Sequence, residues 1–106
     1  MAKAEIFSGI CGFSTTVETS MDRDSGRMCK VNITSNCKSI QKLAGELTQV
    51  DPYMEISNKP SIPYTLQMGA KHCPHSACPV PVGIVKAIEV EAKLALPADV
   101  SIKISR

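Results

Sequence analysis

Apolar positions change their period several times along the chain, and each change marks an element. Between residues 4 and 19, Phe7, Cys11, Phe13, Thr15 and Val17 share one parity. Ser14-Thr15-Thr16-Val17 is rich in β-branched side chains, and the two signals together predict one or two strands. Ser8-Gly9-Ile10-Cys11-Gly12-Phe13 interrupts that pattern, because glycines flanking Ile10-Cys11 suit a bend where backbone approaches something closely. Asp22-Arg23-Asp24-Ser25-Gly26 has turn composition, and beyond it Cys29, Val31 and Ile33 alternate with Lys30, Asn32 and Thr34 as a half-buried strand requires. Turn and flanking strands make a hairpin.

The period then becomes helical. Ile40, Leu43, Ala44, Leu47 and Val50 predict an amphipathic helix over residues 37 to 50, with Ser35-Asn36 as N-caps and Cys37 in its first turn. Asp51-Pro52 ends it. Residues 51 to 72 carry three prolines and no sustained periodicity, so they read as a long structured loop. Ile84, Val85, Ile88, Ala92 and Leu94 give a second helix over residues 80 to 94, with Pro79 and Pro81 where helix starts tolerate proline and Cys78 at its threshold. After Pro97, Val100, Ile102 and Ile104 alternate with Ser101, Lys103 and Ser105 as a final strand of the sheet. The expected order is β-β-β-α-loop-α-β. Two such helices bury their stripes against one face of a mostly antiparallel sheet of about four strands, which makes an α+β, two-layer sandwich.

Composition narrows the function classes. The 106 residues fit a single domain spanning 1–106, and 43% apolar with 21% charged residues is ordinary globular usage rather than disorder. No Trp and only Phe7, Phe13, Tyr53 and Tyr64 leave no platform for stacking bases. Twelve basic and ten acidic residues are spread without a basic block, so no nucleic-acid partner is expected. No apolar run has the length of a signal peptide or membrane span, so the expected setting is cytoplasmic, with no membrane partner.

In a reducing compartment, five cysteines read as ligands, reactive thiols or small buried hydrophobes rather than a disulfide framework. Cys73-Pro74-His75-Ser76-Ala77-Cys78 has the C-x4-C spacing of plant-type two-iron ferredoxins, wider than a zinc knuckle. Cys37 and Cys78 fall at predicted helix N-termini, where the dipole and free N–H groups stabilise thiolates and anionic clusters. Cys11, Cys37, Cys73 and Cys78 all stand at element ends or irregular backbone and form the candidate ligand set. Cys29, on strand parity with Val31 and Ile33, reads as core. His72 and His75 flank Cys73 and read either as surface histidines or as groups that donate to sulfur or replace a ligand, while Gly12 is expected to admit close approach and Lys38 to stabilise a thiolate.

The same residues support competing readings. Four thiolates suit an iron–sulfur cluster or a structural zinc, and ligand softness does not separate them. Alternatively no metal binds, the thiols are structural, and the loop from 51 to 72 carries Tyr53, Met54, Ile56, Ile62, Tyr64 and Met68 onto a partner or second copy; these six residues otherwise belong to the core. A third reading makes Cys37 or Cys78 a nucleophile, with Lys38 or His75 beside it. The sequence has no Ser-His-Asp spacing, no phosphate-binding glycine loop and no paired helical carboxylates, so it leans away from an enzyme. A homodimer or a redox partner protein is the expected association.

Ile10-Cys11-Gly12-Phe13, Ser35-Asn36-Cys37 before a helix, and Cys73-Pro74-His75 with Cys78-Pro79-Val80-Pro81 resemble an uncharacterised family of small cysteine-containing proteins from anaerobic microbes, a domain of unknown function. The resemblance runs over nearly the whole chain. It implies that Cys11, Cys37, Cys73 and Cys78 belong to the family pattern and that Cys29 lies outside it. By analogy, an anaerobic setting suits an oxygen-sensitive cluster.

Overall fold

A computed structural model describes residues 1–106. Strands β1 (Ala2–Phe7), β2 (Ser14–Met21) and β3 (Cys29–Ser35) form an antiparallel meander, and a short β4 (Gln49–Val50) joins the far side of β3, giving the order β1-β2-β3-β4. The register places Val17 opposite both Ala4 and Ile33, and Thr19 opposite Val31. One face of the sheet therefore gathers Ala4, Ile6, Thr15, Val17, Thr19, Cys29 and Val31, while Lys3, Glu5, Glu18 and Lys30 share the other.

Helices α1 (Lys38–Glu46), α2 (Tyr64–His72) and α3 (Val80–Glu91) cover the apolar face, which makes the two-layer α+β sandwich that the alternation predicts. Helix α3 lies on β1 and β2, α1 lies on β3, and α2 packs between its two neighbours. Ile40, Leu43, Leu47, Val80, Ile84 and Ile88 are fully buried with Val17 and Cys29. Buried hydroxyls are satisfied: Thr15 donates to Ser35 Oγ at 2.8 Å, and Thr19 donates to the Ala87 carbonyl at 3.2 Å. Small residues set the helix approach. A Cβ on Gly83 would meet Ile6 of β1, its Cγ1 at 2.7 Å, and one on Gly69 would meet Pro81 Cγ at 2.6 Å.

Four stretches differ from the sequence reading, the first three for local reasons. The first helix ends at Glu46 rather than residue 50, because Thr48 to Val50 satisfy the open edge of β3: Val31 N–H donates to the Thr48 carbonyl at 2.9 Å, and Val50 faces Cys29. The expected loop over 51–72 contains a 3₁₀ turn at Pro52–Met54 and the helix α2. Pro63 at the N-cap of α2 has no capping side chain, and Glu55, 3% exposed, supplies one from outside. Its carboxylate accepts from Tyr64 N at 3.1 Å, Thr65 N at 2.7 Å and Thr65 Oγ1 at 2.5 Å. The second predicted helix stops at Glu91 rather than residue 94. Lys93 N–H bonds the Val90 carbonyl and Leu94 N–H bonds the Glu89 carbonyl, a Schellman closure with Lys93 at φ 62°.

The last correction concerns residues 100–104. They are extended by pattern but join no strand of the sheet, and Val100, Ile102 and Ile104 are 60%, 77% and 91% exposed. Beyond Leu94 the chain stands off the body.

Candidate functional site

The β1–β2 connection positions the first thiol. Ser8 N–H donates to the Phe13 carbonyl at 3.0 Å and Gly12 N–H to the Gly9 carbonyl at 2.9 Å. Gly9 and Gly12, at φ 92° and 78°, supply the left-handed conformations that a side chain resists. Cys11 is exposed at the tip of this loop.

Cys37 is the N-cap of α1, where Ser35-Asn36 were the expected caps. Ser35 serves one step earlier: its Oγ accepts from Cys37 N–H at 3.1 Å, while the Cys37 carbonyl takes the first helical bond from Gln41 N–H at 2.9 Å. The Cys37 thiol makes no capping bond, which leaves its sulfur available. Cys73 is the C-cap of α2 and Cys78 immediately precedes Pro79, the N-cap of α3, so a tight α2–α3 connection brings these two thiols together. Cys37, Cys73 and Cys78 are half-buried and pack against the core.

These three segments enclose one cavity of about 780 Å³. Cys11, Cys37, Cys73 and Cys78 all line it, with Ile10 and Phe13 from the glycine loop, Lys38 from the first turn of α1, and Pro74, His75 and Ala77 from the α2–α3 connection. No carboxylate lines it; its ionisable groups are the four thiols, Lys38 and His75. All five cysteines of the chain are free thiols.

Burial, then the neighbouring thiols of Cys78 and Cys37, push the Cys73 thiol up to about 12. An anionic sulfur there would be poorly solvated and would stand beside other sulfurs. At neutral pH Cys73 is a protonated thiol, which disfavours it as a free nucleophile. The expected thiol-enzyme candidates, Cys37 and Cys78, share the cavity with Lys38 and His75. No three His, Cys, Asp or Glu side chains stand close enough together to hold a single metal ion.

The remaining site residues fall elsewhere. His72 is not on the lining; it turns toward α1, where its Nε2 lies 3.3 Å from Glu46 Oε1 without hydrogen-bond geometry. Lys71 holds the same carboxylate at 3.0 Å, and Glu46 is lowered chiefly by that bond. Gly12 lies off the lining and shapes the loop that carries Cys11. Cys29 is fully buried at the Met21 end of the sheet, as strand parity requires. The residue that sequence reasoning missed is Glu55, which anchors the helix ending at Cys73. The signal of that helix was the spacing Thr65, Met68, Gly69, His72, at i, i+3, i+4 and i+7, veiled because only Met68 among them is apolar.

The loop residues expected in the core lie largely outside it. Tyr53, Met54, Ile56, Ile62 and Tyr64 are exposed, and only Met68 is buried. No helix is long and apolar enough to cross a membrane. No curated protein and no solved structure matches the chain. A family model matches residues 2–104, a span that includes the glycine loop and all four cavity cysteines, and the chain belongs to that family, the family of unknown function DUF6951.

Proposed function

We propose that the cavity holds an iron–sulfur cluster ligated by Cys11, Cys37, Cys73 and Cys78, and that the protein serves electron transfer or uses the cluster to stabilise its fold. One observation carries this reading: four of the five cysteines, from three separate segments, line a single cavity, and no carboxylate joins them. Charge complementarity supports it, since the start of α1 and Lys38 offer positive potential to an anionic thiolate cluster.

Size favours the cluster over zinc. Four thiolates around one zinc, with Zn–S bonds near 2.3 Å, need sulfurs roughly 3.8 Å apart. No such three-donor group is present, whereas about 780 Å³ lies within the range of roughly 300–1,000 Å³ typical of small-ligand sites. A cluster bridged by inorganic sulfide spans more widely spaced thiolates and makes better use of that space. The anaerobic setting implied by the family resemblance would protect it.

Anaerobic purification and reconstitution with iron and sulfide, followed by metal analysis and a visible spectrum, test the proposal. Charge-transfer absorption with stoichiometric iron and sulfide is expected, lost in Cys37→Ser, Cys73→Ser or Cys78→Ser and weakened in Cys11→Ser. Tightly bound zinc without colour would replace the cluster by a structural metal, and a chain that takes up neither refutes both. The exposed apolar residues Tyr53, Met54, Ile56, Ile62 and Tyr64 favour a second reading, an assembly module that docks this loop on a partner protein. Alanine variants there would weaken association and leave any spectrum intact.

A further inference from the structure

We infer that residues 97–106 are an exchanged strand: in a dimer, the arm of each chain pairs along the free edge of β1 in the other copy. The arm carries a complete strand pattern, Val100, Ile102 and Ile104 alternating with Ser101, Lys103 and Ser105, yet its own sheet does not hold it. None of its backbone groups makes a hydrogen bond to the rest of the chain. Its three β-branched side chains are the most exposed run of large apolar residues beyond the body, at 60%, 77% and 91%. A segment programmed for a sheet and left in solvent presents both strand edges for pairing.

The matching vacancy lies on the same molecule. β1 is a six-residue edge strand bonded only to β2, whereas the opposite edge, β4, is two residues long and ends at Asp51-Pro52. Residues 100–105 and β1 are both six residues, about 20 Å each at 3.3–3.4 Å per residue. The two faces also correspond. Val100, Ile102 and Ile104 would extend the layer of half-buried Ala4 and Ile6 beneath α3, and Lys103 would join the polar face that offers Glu5.

Exchange between copies is favoured because the arm leaves its own edge strand unpaired. α3 runs back along β1, with Gly83 against Ile6, and ends at Glu91, whose carboxylate accepts from Met21 N–H at 3.2 Å at the Ala2 end of the sheet. A reversal within residues 92–99 would let the arm run parallel to its own β1, yet in the structure it makes no backbone bond to that strand or any other. Across a two-fold axis the same edge is open to an arm from the other chain, and the contact repeats reciprocally, which closes the assembly at two copies.

Light scattering of the full chain should give twice the 11.4 kDa chain mass. Ile102→Pro removes a ladder donor outside the core and should return the mass to that of one chain, with an unchanged helical circular dichroism signal confirming the fold. A photo-crosslinker at position 102, in a mixture of light and isotope-labelled chains, should yield mixed-isotope adducts to residues 2–7. A monomer at every attainable concentration, adducts confined to one chain, or mixed adducts that map away from residues 2–7 would each overturn the proposal.

Discussion

Replacing Glu55 by glutamine removes the charge that caps α2 from outside the helix. In the parent, Oε1 accepts from both Thr65 N and Thr65 Oγ1, and Oε2 accepts from Tyr64 N. Glutamine keeps one oxygen, so the two Thr65 bonds survive as neutral ones. Bonds to charged groups contribute about 1.5–3 kcal/mol against about 0.5–1.5 kcal/mol for neutral pairs, a loss of roughly 1 kcal/mol for each. The amide nitrogen then faces Tyr64 N–H, donor against donor, and adds about another 1 kcal/mol. The total is about 2–3 kcal/mol, a large share of the roughly 5–15 kcal/mol that holds a domain together. At about 4 °C per kcal/mol for a chain of this size, Tm falls by roughly 8–12 °C. Urea unfolding followed by circular dichroism measures the loss. Amide exchange over Tyr64–Met68 localises it, and faster alkylation of Cys73, at the far end of α2, shows that it reaches the cavity. A Glu55→Gln protein within about 0.5 kcal/mol of the parent, with unchanged exchange in α2, would refute the external cap.

Other expectations rest on single contacts. Gly45→Ala, in α1 with open space around it, should stabilise by about 0.5–1 kcal/mol, whereas Gly83→Ala, whose Cβ would meet Ile6, should lose that gain to overpacking of about 1–3 kcal/mol; denaturant midpoints of the two variants decide. Lys93→Gly relieves the left-handed conformation that closes α3 and should raise stability by about 0.5–1 kcal/mol, read as a shift in Tm. Burial, with the Glu91 charge adding and a Ser20 backbone hydrogen bond opposing, raises Cys29 from 9.0 to about 11. The unfolded chain therefore releases this proton first. The associated stability is whole below pH about 9 and is lost as pH rises toward about 11, roughly 2–3 kcal/mol in all. Cys29→Ala should flatten that alkaline slope relative to the parent in urea unfolding at pH 8 and 10.5, and equal slopes would refute the assignment.

Local patterns decided the hairpins and most of the helices. Alternation at Val17, Val31 and Ile33, turn chemistry at Asp22 to Gly26, and helical spacing from Ile40 to Leu47 express a period set by the backbone itself, so they are legible wherever one face is buried. The placement of Cys11, Cys37, Cys73 and Cys78 at element ends was readable for the same reason. Their convergence was expected from those positions, but the means was not legible: it depends on α2 carrying Cys73 back to the start of α1, and α2 was hidden. Its buried positions include Thr65 and Gly69, selected for a bond to Glu55 and for the approach of Pro81 rather than for apolarity. Tertiary structure also turned His72 away to Glu46, and it took Thr48 to Val50 out of the helix to satisfy the edge of β3. At Val100, Ile102 and Ile104 the sequence determined a strand's alternation and nothing more. Whether such a segment joins a sheet depends on which edge lies within reach, a property of the assembled fold that no local period encodes.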